Sequence, residues 1–115
     1  MTAVSRQASL QEVIEAILDG GLRTVAVVSE EGKLVGLITE GDIVRAVARG
    51  AIPGLSAEGL MNLEPRFVVE KATDDELVRD FLEHGRLAVP VVDHDGNLLK
   101  VESTVEAVLR LIESR

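Results

Sequence analysis

The chain is one unit written twice. Displaced by 64 positions, Ser9 to Val44 lies over Thr73 to Val108 without a gap. Glu12, Leu18, Gly21, Val25, Val27, Val28, Gly32, Leu34 and Val44 then fall on Glu76, Leu82, Gly85, Val89, Val91, Val92, Gly96, Leu98 and Val108. No other feature constrains the fold as much. A repeat of about 60 residues cannot hide its apolar face alone and usually buries it against its copy. Positions at which the copies differ are where function is expected to have diverged.

The composition removes several classes of function. Hydrophobic residues make up 46% of 115, enough for a core, but only two are Phe and none is Tyr or Trp. Stacking platforms for single-stranded nucleic acid are therefore nearly absent. A net charge of −8 further opposes a phosphate-rich partner. There is no cysteine, hence no disulfide and no thiolate chemistry. No apolar run approaches the ~18 residues of a membrane span, and the N-terminus lacks a signal-type stretch. The protein is expected to be soluble, acidic and cytoplasmic, with no membrane or nucleic-acid partner.

Each copy reads as short strand, helix, strand, hairpin, strand, helix. Leu10, Val13, Ile14, Ile17 and Leu18 recur at helical spacing up to Gly20-Gly21. Strands are predicted over Thr24–Val28 and Leu34–Thr39 around a turn at Glu30–Lys33, followed by a helix from about Asp42 to Arg49. The second copy repeats this with Leu77, Val78, Phe81 and Leu82 on a helix and strands at Ala88–Val92 and Leu98–Glu102. Val105, Val108, Leu109 and Ile112 form an apolar stripe on the last helix. The repeats are expected at 1–50 and 67–115, and 51–66 is a connector with one short helical segment at Ser56–Met61.

Four helix starts share a Ser or Thr followed three residues later by an acid: Ser9/Glu12, Thr39/Asp42, Thr73/Glu76 and Ser103/Glu106. Each reads as a capping box. Thr39/Asp42 stands apart, because its shorter acid is expected to reach back to the cap less well and Gly36 and Gly41 lie beside it. Gly36 to Asp42 runs from a strand end into a helix N-terminus. Glycines there admit a ligand close to the backbone, and the helix end favours a phosphate. The Thr39 hydroxyl suits a phosphate or ribose oxygen, and the Asp42 carboxylate suits a ribose diol.

These residues resemble a known family. The duplication, the Val-Pro-Val-Val-Asp run at Val89–Asp93, the hairpin at Asp95–Leu98 and the Gly36–Asp42 motif are those of a tandem pair of cystathionine-β-synthase-type (CBS) domains, a Bateman module. The resemblance runs from Ala3 to the C-terminus. It implies an α/β (α+β) fold of two pseudo-twofold-related repeats, each a small sheet with two helices, packed sheet to sheet. It also implies a regulatory adenosyl ligand (AMP, ADP, ATP or S-adenosylmethionine) and no metal. Carried over by position, Gly36, Thr39 and Asp42 would form the first site, with Arg23 and Thr24 lining it and Val4 flanking the base. In the second copy Lys100 replaces the glycine and Glu106 the aspartate, while Ser103 keeps the hydroxyl. That site is expected to be weakened. Thr39–Ala46, Arg49-Gly50 and Met61-Asn62 resemble CBS pairs attached to sugar-phosphate nucleotidyltransferases or isomerases. On that likeness the chain would be a regulatory fragment of such an enzyme, or a free-standing relative.

Other clusters have ordinary explanations. Asp93–Asn97 lacks the spacing of a calcium loop and reads as a hairpin turn. Asp74–Glu76 reads as a solvated acidic cap, and Arg45, Arg49 and Arg110 as surface charges, of which Arg45 and Arg49 follow the Thr39 motif closely enough to reach a polyphosphate. No nucleophile elbow or catalytic carboxylate pair is apparent. The leading expectation is a non-enzymatic regulatory module that forms a homodimer. The alternative is a ligand-free structural or dimerisation module in which Thr39/Asp42 is a plain cap.

Overall fold

A computed structural model describes residues 3–50, 54–65 and 67–114. The start of the expected connector (51–53), Arg66 and the chain ends lie outside the described residues. The chain divides into two compact units, Met1–Pro65 and Arg66–Arg115.

In the first unit, β1 (Ala3–Ser5) runs parallel to β2 (Thr24–Val28), and β2 pairs antiparallel with β3 (Leu34–Thr39). Between β1 and β2 the chain forms α1 (Leu10–Gly20), and after β3 it forms α2 (Glu40–Ala48). Helix α1 starts where Ser9 Oγ accepts the Glu12 N–H at 3.1 Å and Glu12 Oε1 accepts the Ser9 N–H at 3.0 Å. It stops where Gly21 takes φ 72°, which costs little without a Cβ. Leu10, Val13 and Ile17 are buried beneath it with Val25, Val27, Ile38 and Ile43. Leu18, expected in the same stripe, is instead exposed.

Residues 54–65 are built into this unit. The short helix α3 (Ala57–Leu60) places Ala57 fully in the core. The Ala57 N–H donates to the Ala8 carbonyl at 2.8 Å, and the Asn62 N–H donates to the Leu37 carbonyl at 2.9 Å.

The second unit repeats the topology with β4 (Val68–Val69), α4 (Asp74–His84), β5 (Ala88–Val92), β6 (Leu98–Ser103) and α5 (Thr104–Glu113). Even register survives the duplication: Thr24 faces Thr39, and 64 positions on Ala88 faces Ser103. The register shifts at Val27/Val28 and again at Val91/Val92.

The cores differ. Leu10, Ile38 and Ala46 of the first copy correspond to Asp74, Glu102 and Arg110. Arg110 is no simple surface charge, nor is Asp74 only a solvated cap. The guanidinium forks onto Asp74 (Nη2–Oδ1 2.9 Å, Nε–Oδ1 3.0 Å) and also reaches Glu102 Oε1 at 2.9 Å. Lys100 Nζ holds the other Glu102 oxygen at 2.8 Å. Burial opposes the charge on Glu102, but its hydrogen bonds to Lys100 and Arg110 outweigh it and keep the carboxyl below its ordinary pKa. Among the described residues the buried apolar cluster here is Leu77, Val89 and Ala107, with the partly buried Val68 and Val78 packed against it. The stripe Val105, Val108, Leu109 and Ile112 faces outward, while Thr104 and Ala107 make the buried side of α5.

Candidate functional site

The pairing of β2 with β3 gathers four of the expected site residues at one end of the first sheet. Thr24 faces Thr39 in the ladder, and the Glu40 N–H donates to the Arg23 carbonyl at 2.9 Å, locking the entry to β2 against the start of α2. Arg23 adopts φ 58°, a left-handed conformation that a non-glycine residue takes at some cost and that a well-fixed backbone must hold. Its side chain is exposed and lies 3.8 Å from Glu40.

Thr39 and Asp42 make a complete capping box. Thr39 Oγ1 accepts the Asp42 N–H at 3.2 Å, and Asp42 Oδ2 accepts the Thr39 N–H at 2.8 Å. The aspartate, expected to reach back less well, does so because the turn brings the Thr39 amide to it. At Thr73 and Ser103 the hydroxyl half of the box is formed, at 3.2 and 3.4 Å. Asp42 Oδ1 also accepts from Arg45 Nη2 at 2.7 Å. Burial would raise the Asp42 pKa, but the Thr39 amide, the Thr39 hydroxyl and Arg45 together hold it below the ordinary aspartate value. The carboxylate is ionised near neutrality, and each oxygen keeps a free lone pair for a diol. Two of the first three N–H groups of α2, those of Glu40 and Asp42, are already taken. The expected phosphate seat at this helix end therefore has less to offer than a bare N-terminus.

Arg45, read in the sequence as a surface charge, thus belongs to this cluster. The signal was present as an Asp-to-Arg spacing of three on a helix face. Gly41 makes the approach possible, since a Cβ there would lie 3.2 Å from Arg45 Nη1.

Gly36 and Val4 lie elsewhere. Both flank Val27, forming a row across the three strands that is three residue steps, roughly 10 Å, from the Thr24–Thr39 row. Val4 packs on the core. Gly36 is bare because Met61 covers it: a Cβ would lie 2.7 Å from both Met61 Cβ and Cγ.

In the second copy Ser103 is buried, Glu106 is exposed, and Lys100 is engaged by Glu102. The Thr104 N–H donates to the Leu87 carbonyl at 2.9 Å, repeating the Glu40–Arg23 link. The Asp93 turn closes on itself, with Asp93 Oδ1 accepting the N–H groups of Asp95 and Asn97, each at 2.9 Å. Among the described residues no group of His, Asp and Glu is placed to hold a metal ion, and no helix is long and apolar enough to cross a membrane.

The family model of the CBS domain matches residues 1–49. Homoserine O-acetyltransferase of Methanococcoides burtonii is 30% identical over 115 residues, covering 97% of this chain and 22% of that enzyme. The chain thus spans about a fifth of that relative's length. A CBS domain protein of Pyrobaculum aerophilum complexed with AMP matches with a TM-score of 0.82 at 21% identity, covering 97% of this chain and 91% of that one. A CBS domain pair in complex with 5′-methylthioadenosine and S-adenosyl-L-methionine matches with a TM-score of 0.78 at 24% identity, covering 96% and 86%. At these identities the structural likeness is one of fold.

Proposed function

We propose, for a chain that carries a CBS domain in its first 49 residues and has the fold of a CBS pair, the role of a regulatory module that binds an adenosyl ligand through Thr39 and Asp42. The observation that carries this reading is the ionised Asp42 carboxylate, fixed by Thr39 and Arg45 with lone pairs to spare at the sheet end where Arg23 and Thr24 converge. It is supported by fold neighbours that hold AMP, 5′-methylthioadenosine or S-adenosylmethionine. AMP, ADP, ATP and S-adenosylmethionine are the ligands to test. Asp42 holds the ribose diol, the Thr39 hydroxyl donates to a ribose or phosphate oxygen, and Arg23 and Arg45 balance anionic charge. Gly36 and Val4 act as a backbone row behind the site. Ser103 and Glu106 give the second copy a weaker site, because Lys100 and Glu106 depart from the motif.

The module is not itself an enzyme; it controls one. Its target is a sugar-phosphate nucleotidyltransferase or isomerase, on the likeness of Thr39–Ala46, and its place is the cytoplasm. It works as a homodimer through helix faces that leave Leu18 and Leu82, and Val44 and Val108, exposed at matching positions of the two copies.

Isothermal titration with AMP, ADP, ATP, S-adenosylmethionine and GMP tests the site directly. Asp42→Asn keeps an acceptor for the cap and removes the charge. Binding of one adenosyl ligand, lost in Asp42→Asn, is the expected result. A structural module is the second reading, favoured by the complete capping box. It predicts no adenosyl binding by the parent chain.

A further inference from the structure

We infer that a hollow at the other end of the first unit's sheet from Thr39 binds a small zwitterion of the amino-acid class. Strands β1 and β2 run parallel with Ser5 opposite Val28, so the residues that follow each strand emerge side by side. They enclose about 320 Å³ between Ser5, Arg6 and Gln7 on one wall and Ser29, Glu30 and Glu31 on the other. That volume lies at the lower end for small-molecule sites.

Both walls are fixed. The Arg6 carbonyl accepts the Glu58 N–H at 3.0 Å, and the Ser29 N–H and hydroxyl oxygen bracket Lys33 at 2.9 and 3.2 Å. Arg6 is half-buried, and its Nε is buried with no hydrogen-bond partner. Among the described residues no ion pair joins its guanidinium to Glu30 or Glu31, although all three line the same space. Arg6 on one wall and the two carboxylates on the other therefore line one space without neutralising each other.

The second copy shows that the gap is narrow enough to close. Positions 70 and 94 correspond to Arg6 and Glu30, and there Glu70 and His94 meet directly at 3.6 Å. In the first copy Arg6 and Glu30 carry opposite charges, yet they stay apart. A plain anion drawn to Arg6 would face two carboxylates. A ligand with a carboxylate for Arg6 and an ammonium for Glu30 and Glu31 satisfies both walls, and the Ser5 and Ser29 hydroxyls line the space between. This site is independent of Thr39 and Asp42.

The test is isothermal titration of the 115-residue chain with a panel of free α-amino acids, using acetate and methylammonium as single-charge controls. An amino acid is expected to bind more tightly than either control. Arg6→Met, and separately Glu30→Gln with Glu31→Gln, should each weaken binding about tenfold or more, with far-UV circular dichroism unchanged. The two glutamates are exposed turn residues, so that variant remains informative if Arg6→Met unfolds. Asp42→Asn should leave amino-acid binding intact. The inference is overturned if no amino acid exceeds the controls, or if the glutamate variant binds as the parent does.

Discussion

Replacing Arg110 by Met should destabilise the second unit, whereas rewriting its whole ionic network in the residues of the first copy should not. Glu102 is 7% exposed and held by Arg110 at 2.9 Å and Lys100 at 2.8 Å. Breaking a fully buried pair by removing one partner costs about 3–5 kcal/mol. Arg110 is half exposed and Lys100 remains, so Arg110→Met should cost less than that. The triple change Asp74→Leu, Glu102→Ile, Arg110→Ala installs the counterparts Leu10, Ile38 and Ala46. Burying the Ile side chain at position 102 contributes about 1.5–3 kcal/mol, and Leu at the partly exposed position 74 adds less. Loss of an acid from the first turn of α4 offsets a small part of this. The net expectation is a neutral to stabilising change of up to about 4 kcal/mol. Urea unfolding followed by far-UV circular dichroism reads both, since the chain has no Trp or Tyr. The reasoning is refuted if the urea midpoint of Arg110→Met matches the parent's, or if the triple variant is less stable than Arg110→Met.

Ile38→Ala in the fully buried core of the first unit should cost about 2–5 kcal/mol by the same measurement, a loss the outward-facing Leu18→Ala should not approach. Gly36→Ala should cost about 1–3 kcal/mol, because the new methyl meets the fixed Cβ of Met61; an unchanged midpoint would show that Met61 does not cover this strand. The depressed pKa of Asp42 stabilises the fold fully above the ordinary aspartate value, about 3.9, and that contribution is lost as pH falls through the lower folded value. The stability gap between the parent and Asp42→Asn should therefore shrink on acidification, and a gap that widens below pH ~4 would contradict the Thr39–Arg45 arrangement.

The repeat, the order of strands and helices in each copy, and the Thr39/Asp42 motif can all be read along the chain. All of these rest on local periodicity and on residues three or four apart. The strands at Thr24–Val28 and Ala88–Val92 and the caps at Ser9 and Thr39 were legible for that reason. Other features depend on partners far apart in the chain. Gly36 shows in the sequence only as a bare backbone position, and that Met61, 25 residues later, lies against it is set by packing. Arg110 and Asp74 read as solvent-facing charges until the fold brings them together across 36 residues and onto Glu102. The stripe on α5 reads as one apolar face of a helix, and only the fold turns it outward, with Thr104 and Ala107 on the buried side. Local pattern records which residues share a face. Which face is buried, and which charges are neutralised, depends on long-range packing that spacing along the chain does not encode.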